Sequence, residues 1–200
     1  MATEIATSSK MTAEDFLEWG SRPENVGRRC ELENGEIIDV PPPKHPHGIY
    51  CWLVIKILTE YIVRRGAGYM CTNDTGMIVQ RNPDTVRGAD AILFLQTKSG
   101  EQISPGYIED IPNLVVEVLS PDDRPGKTNR RIEQYLRRGI PLVWLIDPEE
   151  RIVTVYRPKE FHKVLDATEE LTGNGVLPDF SCRVSDLFTI PGQQPTAPTN

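Results

Sequence analysis

The sequence predicts an α/β domain built on a mixed sheet, and three observations lead to this prediction. Two almost continuous apolar stretches, residues 113–120 and 141–147, have the composition of strands buried on both faces. A short helix between them favours a parallel pair of strands joined by a right-handed crossover. Residues 47–65 carry apolar side chains at helical spacing, which is typical of a long helix packed on such a sheet.

The first part of the chain is predicted to hold a capped helix and a hairpin before the long helix. Residues 11–19 place a Thr before acids in the first turn, as expected for a short capped helix. Residues 30–40 contain the pair Asn34-Gly35, which supplies the positive backbone angles of a tight two-residue turn. The prolines at 41–43 cannot pair in a sheet, and they lead to the long helix.

The rest of the chain is predicted to be mainly short strands. Asp90 stands near the start of one of them, residues 87–95. The alternation of apolar and polar residues in 151–157 is typical of an antiparallel edge strand, and residues 161–165 continue from it. Residues 184–188 are expected to form a last helical turn. The predicted strands before these are 69–72 and 76–80, joined by a turn at 73–75, with an irregular segment at 173–179.

Length and composition predict one domain over residues 11–190, with a flexible tail at 1–10 and a disordered tail at 191–200. No apolar run approaches the length of a membrane span, so no membrane partner is expected. The N-terminus lacks the apolar core of a signal peptide, and we expect a cytoplasmic protein. The four cysteines form no Cys-x-x-Cys pair and are interpreted as reduced core residues, not as zinc ligands or a redox motif.

The net charge of −7 excludes a protein coated with basic residues that grips nucleic acid over its whole surface. Basic residues are nevertheless concentrated on the helix after residue 120, where Glu133 is the one acid. Such a run is either a solvated helix face or a local contact for nucleic acid. The run contains Arg124, Lys127, Arg130, Arg131, Arg137 and Arg138.

Glu117 is the single acid within an apolar strand, and a buried carboxylate needs a cation or strong donors beside it. A metal ion and a structural Arg or Lys are the two alternatives. Two carboxylates on neighbouring strands, here Asp90 and Glu117, can hold a cation such as Mg²⁺. Lys127, Arg131 and Tyr135 follow one another at spacings of four residues and share one helix face. Together these residues predict the active site of a metal-dependent phosphodiesterase.

Five segments together resemble the Uma-type restriction endonucleases, a bacterial branch of the PD-(D/E)XK nuclease superfamily. They are ELENGEIIDV followed by Pro and His, GADAILF, PNLVVEVLSPDD, QYLRRGI, and PLVWLIDPEERIVTVYRP. The resemblance implies a restriction-endonuclease-like α/β fold: a mixed central sheet flanked by helices, with an N-terminal hairpin and C-terminal antiparallel strands. It also implies an endonuclease that hydrolyses DNA phosphodiester bonds with a water activated by Mg²⁺ (or Mn²⁺). DNA is the expected partner, and a homodimer is expected as in many nucleases that cut duplex DNA.

The resemblance also implies roles for individual residues. Asp90 and Glu117 become metal ligands, with the backbone carbonyl of Val118 as a further oxygen. Glu31 becomes an auxiliary ligand or a base that acts beside the metal, and His47 lies where the family often places a His before the long helix. The residues expected to contact nucleic acid are Arg124, Lys127, Arg130 and Arg137.

Each assignment has a structural alternative. Asp90 could be a turn residue at a strand start, and Glu117 could form a buried ion pair with Arg131. Glu31 could be an exposed hairpin acid, and His47 could be an ordinary loop residue.

The chain departs from the superfamily pattern at two positions. Ala89 replaces the Pro expected before the first acid, and Leu119 replaces the Lys expected two residues after the second. Many members of this branch place that lysine on the following helix, four residues before a Tyr, where this chain has Arg131. An arginine retains its proton but can neutralise a phosphate, and Lys127 could supply the missing ammonium group. The alternative functions are a nuclease-fold protein that binds nucleic acid or a partner without turnover, and a hydrolase of another phosphate ester.

Overall fold

The computed structural model describes residues 10–72 and 74–192. The predicted tails therefore lie outside the described residues, except for positions 10, 191 and 192. The first residue of the turn predicted at 73–75 also lies outside them. The helices are α1 (Ala13–Ser21), α2 (His45–Arg65) and α3 (Pro125–Arg138), with short 3₁₀ helices at Gly100–Gln102 and Val184–Phe188. The strands are β1 (Cys30–Glu33), β2 (Glu36–Asp39), β3 (Tyr69–Thr72), β4 (Gly76–Gln80), β5 (Thr85–Gly88), β6 (Ala91–Phe94), β7 (Leu114–Val118), β8 (Val143–Asp147), β9 (Ile152–Tyr156), β10 (Lys163–Leu165), β11 (Glu170–Thr172) and β12 (Ser181–Arg183).

The central sheet has six strands in the order β10-β9-β8-β7-β6-β3. Strands β7 and β8 are parallel and are connected through α3, whereas the other neighbours are antiparallel. This arrangement confirms the predicted mixed sheet and its βαβ unit. A second sheet, in the order β2-β1-β5-β4, contains the predicted N-terminal hairpin, and β11 pairs with β12.

Two helices cover opposite faces of the central sheet. Leu58 of α2 belongs to an apolar cluster with Val116 of β7, whereas Ile132 of α3 belongs to another with Val115 of β7. Successive residues of a strand point to opposite faces, so a strand buried on both faces must be apolar almost throughout. The layers confirm the predicted fold class. No helix in the described part of the chain is long and apolar enough to cross a membrane.

Local signals determine several element boundaries as predicted. Thr12 caps α1 and forms a capping box with Asp15, in which each side chain accepts a hydrogen bond from the other residue's backbone N–H. Asn34 and Gly35 have φ angles of 51° and 76° at the turn between β1 and β2. Gly66 ends α2 in the left-handed conformation at φ 70°.

Two strand predictions are wrong. Residues 87–95 do not form one strand, because β5 ends at Gly88 in the four-stranded sheet and β6 begins at Ala91 in the central sheet. A Cβ atom on Gly88 would lie 2.7 Å from Cβ and carbonyl oxygen of Asp74, so this residue allows a close approach where the chain changes sheets. Strand β9 is not an edge strand, since β10 covers its outer side. The hairpin of β11 and β12 was not predicted.

Candidate metal centre

Antiparallel pairing brings the two predicted acids to the same end of the central sheet. Ala91 of β6 lies opposite Val116 of β7, so the preceding residue, Asp90, faces the position of Glu117. The backbone N–H of Val118 donates to Asp90 Oδ2 at 2.7 Å. The side chains of Asp90 and Glu117 are 14% and 12% exposed, so both are mostly withdrawn from water.

Helix α2 contributes two further side chains that contact each other and Asp90. His47 Nε2 lies 3.0 Å from Asp90 Oδ1 and 3.3 Å from Cys51 Sγ. The potential ligand atoms of His47, Cys51 and Asp90 all lie within 4.8 Å of one another. His47 and Cys51 are four residues apart, which places them on one face of the helix. Cys51 was not predicted to belong to the site, although its His-x₃-Cys spacing from His47 lies on a predicted helix. All four cysteines are free and partly buried.

Helix α3 contacts the other acid. The hydroxyl of Tyr135 donates a hydrogen bond to Glu117 Oε1, and Arg131 Nη1 donates to the same oxygen at 3.3 Å. Arg131 Nη2 lies 3.0 Å from Glu31 Oε2, so the guanidinium sits between two carboxylates. Arg131 and Tyr135 share a helix face as predicted, and the ion pair of Glu117 with Arg131 is present.

Glu31 is buried, so the alternative of an exposed hairpin acid is wrong. Its Oε1 accepts from the backbone N–H of Gly88 at 3.0 Å, and its Oε2 accepts from Arg87 at 2.8 Å as well as from Arg131. Arg87 also lies 3.1 Å from Glu33. The hairpin, β5 and α3 are therefore joined by a network of charged hydrogen bonds that ends at Glu117.

The remaining basic residues of α3 lie outside this network or at its edge. Lys127 and Arg124 are exposed at the start of the helix, and the Lys127 side chain makes no ion pair within residues 10–72 and 74–192. Arg130 Nη1 lies 3.1 Å from Glu33 Oε1. Arg137 is in the last turn, pairs with Glu133 at 3.2 Å, and lies about 9 Å along the helix axis from Arg131.

Burial makes both acids harder to ionise. It raises the pKa of Asp90 to about 6, against the opposing effect of the Val118 N–H, which stabilises the carboxylate. It raises the pKa of Glu117 to about 7, and the charge of Asp90 adds to this rise, whereas Arg131 and Tyr135 oppose it. A cation at this end of the sheet would favour the ionised form of both groups.

His47 and Cys51 are held in their neutral forms when no cation is bound. Burial lowers the pKa of His47 although the charges of Asp123, Asp74 and Glu117 act in the opposite direction. Burial also raises the pKa of the Cys51 thiol, with the charge of Asp90 adding to the effect. A neutral imidazole is the form that binds metal ions.

The donor atoms at this end of the sheet fit a divalent cation. The carboxylates of Asp90 and Glu117 are ligands that Mg²⁺ and Mn²⁺ prefer, and both hydrogen bonds that the described residues make to Glu117 end on Oε1. His47 Nε2 and Cys51 Sγ are donors that favour transition metals.

Comparisons with known proteins agree with this architecture. A family model described as "Uma2: Putative restriction endonuclease" matches residues 13–185. One solved structure that the chain resembles is described as a putative nuclease belonging to DUF820 from Anabaena variabilis ATCC 29413. The two chains are 23% identical, the match covers 89% of this chain and 97% of the other, and the TM-score is 0.72. This likeness supports the fold. No curated protein matches the chain.

Proposed function

This chain belongs to the Uma2 family, and from that premise we propose that it is a Mg²⁺- or Mn²⁺-dependent endonuclease that hydrolyses DNA phosphodiester bonds. The observation that carries the proposal is that two mostly buried acids, Asp90 and Glu117, occupy facing positions on neighbouring strands at one end of the central sheet. The Anabaena protein of the same fold is described as a putative nuclease, which adds support. The homodimer, the cytoplasmic location and the extent of the single domain stay predictions of the sequence.

Asp90, Glu117 and the backbone carbonyl of Val118 would hold the metal ion. When bound, the ion would lower the pKa of an attacking water and stabilise the charge that develops on the phosphate. Asp90 is oriented by the Val118 N–H, and Glu117 is oriented by Tyr135 and Arg131 through one of its oxygens. The site is therefore organised before an ion arrives, which reduces the cost of binding it.

Arg131 is proposed to act through its charge. Burial lowers the pKa of Arg131, but Glu117, Tyr135 and Glu31 together outweigh that effect and hold the pKa well above its usual range, so this residue cannot serve as a base. Its guanidinium can neutralise a phosphate oxygen near Glu117. Glu31 holds Arg131 from the other side, and we assign it a positioning role. Lys127, one turn earlier and exposed, could contribute an ammonium group to the substrate.

Contacts with the DNA backbone are proposed for the exposed basic residues of α3. Arg124 immediately precedes this helix, Lys127 and Arg130 lie in its first half, and Arg137 lies in its last turn. Such contacts make affinity fall with salt concentration, and each lost phosphate contact reduces the salt dependence. Arg130→Gln should therefore weaken DNA binding and flatten its salt dependence.

The test is cleavage of plasmid and single-stranded DNA with Mg²⁺ or Mn²⁺ by the wild type, Asp90→Asn and Glu117→Gln. We expect each substitution to reduce cleavage about a hundredfold or more. Glu149→Gln, an exposed acid in the turn between β8 and β9, is the matched control and should cleave like the wild type. Equal cleavage by all variants would assign the activity to a contaminant and overturn the proposal.

One observation favours a second candidate, a nuclease-fold protein that binds nucleic acid or a partner without turnover. Arg131 stands where many relatives have the lysine, and two carboxylates already engage it. This candidate predicts salt-sensitive DNA binding without metal-dependent cleavage. Cleavage by Arg131→Lys but not by the wild type would support it and would identify Arg131 as the residue that prevents turnover.

A further inference from the structure

Three potential ligand atoms meet between the start of α2 and the start of β6. His47 Nε2 is 3.0 Å from Asp90 Oδ1 and 3.3 Å from Cys51 Sγ. A neutral imidazole has a proton on only one nitrogen, so Nε2 cannot donate to Asp90 and also accept from the Cys51 thiol. A metal ion, in contrast, accepts a lone pair from each of the three atoms.

We propose that His47, Cys51 and Asp90 form a binding site for a borderline transition-metal ion such as Zn²⁺ or Co²⁺, with the Cys51 sulfur as a ligand. Coordination forms a bond between this sulfur and the ion, and the thiol proton leaves to solvent. The proposal does not depend on DNA cleavage. The site is distinct from the Mg²⁺ site described above because it uses His47 and Cys51, although both sites use Asp90.

The spacing of these atoms agrees with tetrahedral coordination. Bonds of about 2.0 Å to nitrogen and oxygen and about 2.3 Å to sulfur place the nitrogen about 3.3 Å from the oxygen and about 3.5 Å from the sulfur. The observed distances of 3.0 and 3.3 Å are shorter by about 0.2–0.3 Å. A small outward movement of the side chains therefore admits an ion, and the fourth position remains for water or substrate.

The surrounding charges also favour a cation. The carboxylates of Asp74, Asp123 and Glu117 are close enough to act on His47. They belong to three different parts of the fold: the connection after β3, the turn before α3, and strand β7. Arg29 acts in the opposite direction and is ion-paired with Asp74. Asp90 adds a further acid to this set, and Arg131 acts on Asp90 in the opposite direction.

The sulfur ligand determines which ions this site prefers. Mg²⁺ is bound by oxygen ligands, whereas thiolate and imidazole select Zn²⁺ and chemically similar ions. An ion held by His47, Cys51 and Asp90 would occupy a carboxylate that the proposed Mg²⁺ site also needs. Zn²⁺ would therefore compete with Mg²⁺ for Asp90.

The test is titration of the full chain, stripped of metal with EDTA, with Co²⁺ under reducing conditions and without DNA. A Cys51–cobalt bond should produce a sulfur-to-cobalt charge-transfer band in the near ultraviolet, which saturates at a single ion per chain and disappears when Zn²⁺ is added. Cys51→Ser and Cys51→Ala should lack the band, whereas Cys182→Ser, the partly buried control, should retain it. Circular dichroism checks that each variant is folded.

Asp90→Asn and His47→Asn should weaken Co²⁺ binding about tenfold or more. Excess Mg²⁺ should weaken Co²⁺ binding through the shared Asp90, but the charge-transfer band should still form at saturating Co²⁺. The proposal is overturned if no band forms, if the band persists in folded Cys51→Ser, or if Mg²⁺ abolishes it at saturating Co²⁺. Because DNA is absent, a protein that binds Co²⁺ through Cys51 but cleaves nothing would contradict the nuclease proposal alone.

Discussion

Replacing Arg131 by methionine tests whether its guanidinium offsets the charge of the acids at the end of the sheet. Arg131 donates to Glu117 at 3.3 Å, to Glu31 at 3.0 Å and to the carbonyl of Gly88 at 3.2 Å. Methionine retains an apolar stem of similar length, so packing changes little while all three donors are lost. Glu117 then retains the Tyr135 hydroxyl as its donor.

The expected loss of stability follows from how deeply these groups are buried. Removing one partner of a buried ion pair costs about 3–5 kcal/mol. Glu31 and Glu117 are 8% and 12% exposed, but Arg131 is 25% exposed. We therefore expect the lower end of the range, about 3 kcal/mol at pH 8. For a domain of this size, such a loss lowers Tm by about 6–12 °C.

The loss should depend on pH because Glu117 changes its charge near neutrality. Burial raises its pKa from 4.5 to about 7, although Arg131 and Tyr135 favour the charged form. The stability that comes from keeping this carboxyl neutral is complete below pH 4.5 and is lost as the pH rises through 7. Without Arg131 the pKa rises further, so the variant loses more stability than the wild type above about pH 6. At pH 5 Glu117 is neutral in both proteins. Because pH 8 lies one unit above its pKa of about 7, its titration accounts for about 1.4 kcal/mol of the loss, and the difference should shrink to about 1.6 kcal/mol at pH 5.

The measurement is the free energy of unfolding in urea at pH 5 and pH 8, with EDTA present so that no metal ion holds the acids. Arg137→Met, on the same helix, is the control because Arg137 is 78% exposed and pairs with Glu133 one turn away. It should cost about 0.3–0.5 kcal/mol at both pH values. If Arg131→Met costs the same at both pH values to within about 0.5 kcal/mol, the proposed charge compensation is refuted.

Three other substitutions test single contacts. Tyr135→Phe removes the buried hydroxyl that donates to Glu117, and it should lower the free energy of unfolding in urea at pH 8 by about 1.5–3 kcal/mol. An unchanged free energy of unfolding would show that this hydrogen bond contributes nothing to stability. Gly88→Ala places a methyl group 2.7–2.9 Å from atoms of Asp74 and should lower the free energy of unfolding by about 1–3 kcal/mol. Gly100→Ala is the control, because there is open space around its Cβ, and it should be nearly neutral. Equal effects of the two substitutions would contradict the close approach of Gly88 to Asp74. Thr12→Ala should lower the free energy of unfolding by about 1 kcal/mol because it removes the cap of α1, and a smaller loss for Thr12→Ser is expected.

Local sequence signals predicted most secondary-structure elements. The capping residues of α1, the Asn34-Gly35 turn and the left-handed Gly66 act within a few residues of one another, so they can be recognised without the rest of the chain. The apolar strands β7 and β8 were recognised because both of their faces are buried in apolar clusters. The family resemblance, which rests on these same segments, is confirmed by the family match over residues 13–185.

Changes of sheet and pairings between distant elements could not be predicted in the same way. Residues 87–95 include the end of β5 and the whole of β6, and their composition does not reveal that the two strands have different partners. Glu31 is polar in a short hairpin and was open to interpretation as an exposed acid until Arg87 and Arg131 were found beside it. The order of the elements along the chain does not show which distant side chains will be in contact.

By itself, the sequence determined which residues could do chemistry: an isolated acid in an apolar strand, a second acid at a strand start, and a basic helix between two parallel strands. The tertiary structure decided which of them meet. Antiparallel pairing places Asp90 opposite the position of Glu117, α2 brings His47 and Cys51 to Asp90, and α3 brings Arg131 to Glu117. The physical reason is that spacing along a chain determines only which neighbours share a face, whereas contacts between elements depend on how the sheet and its helices pack.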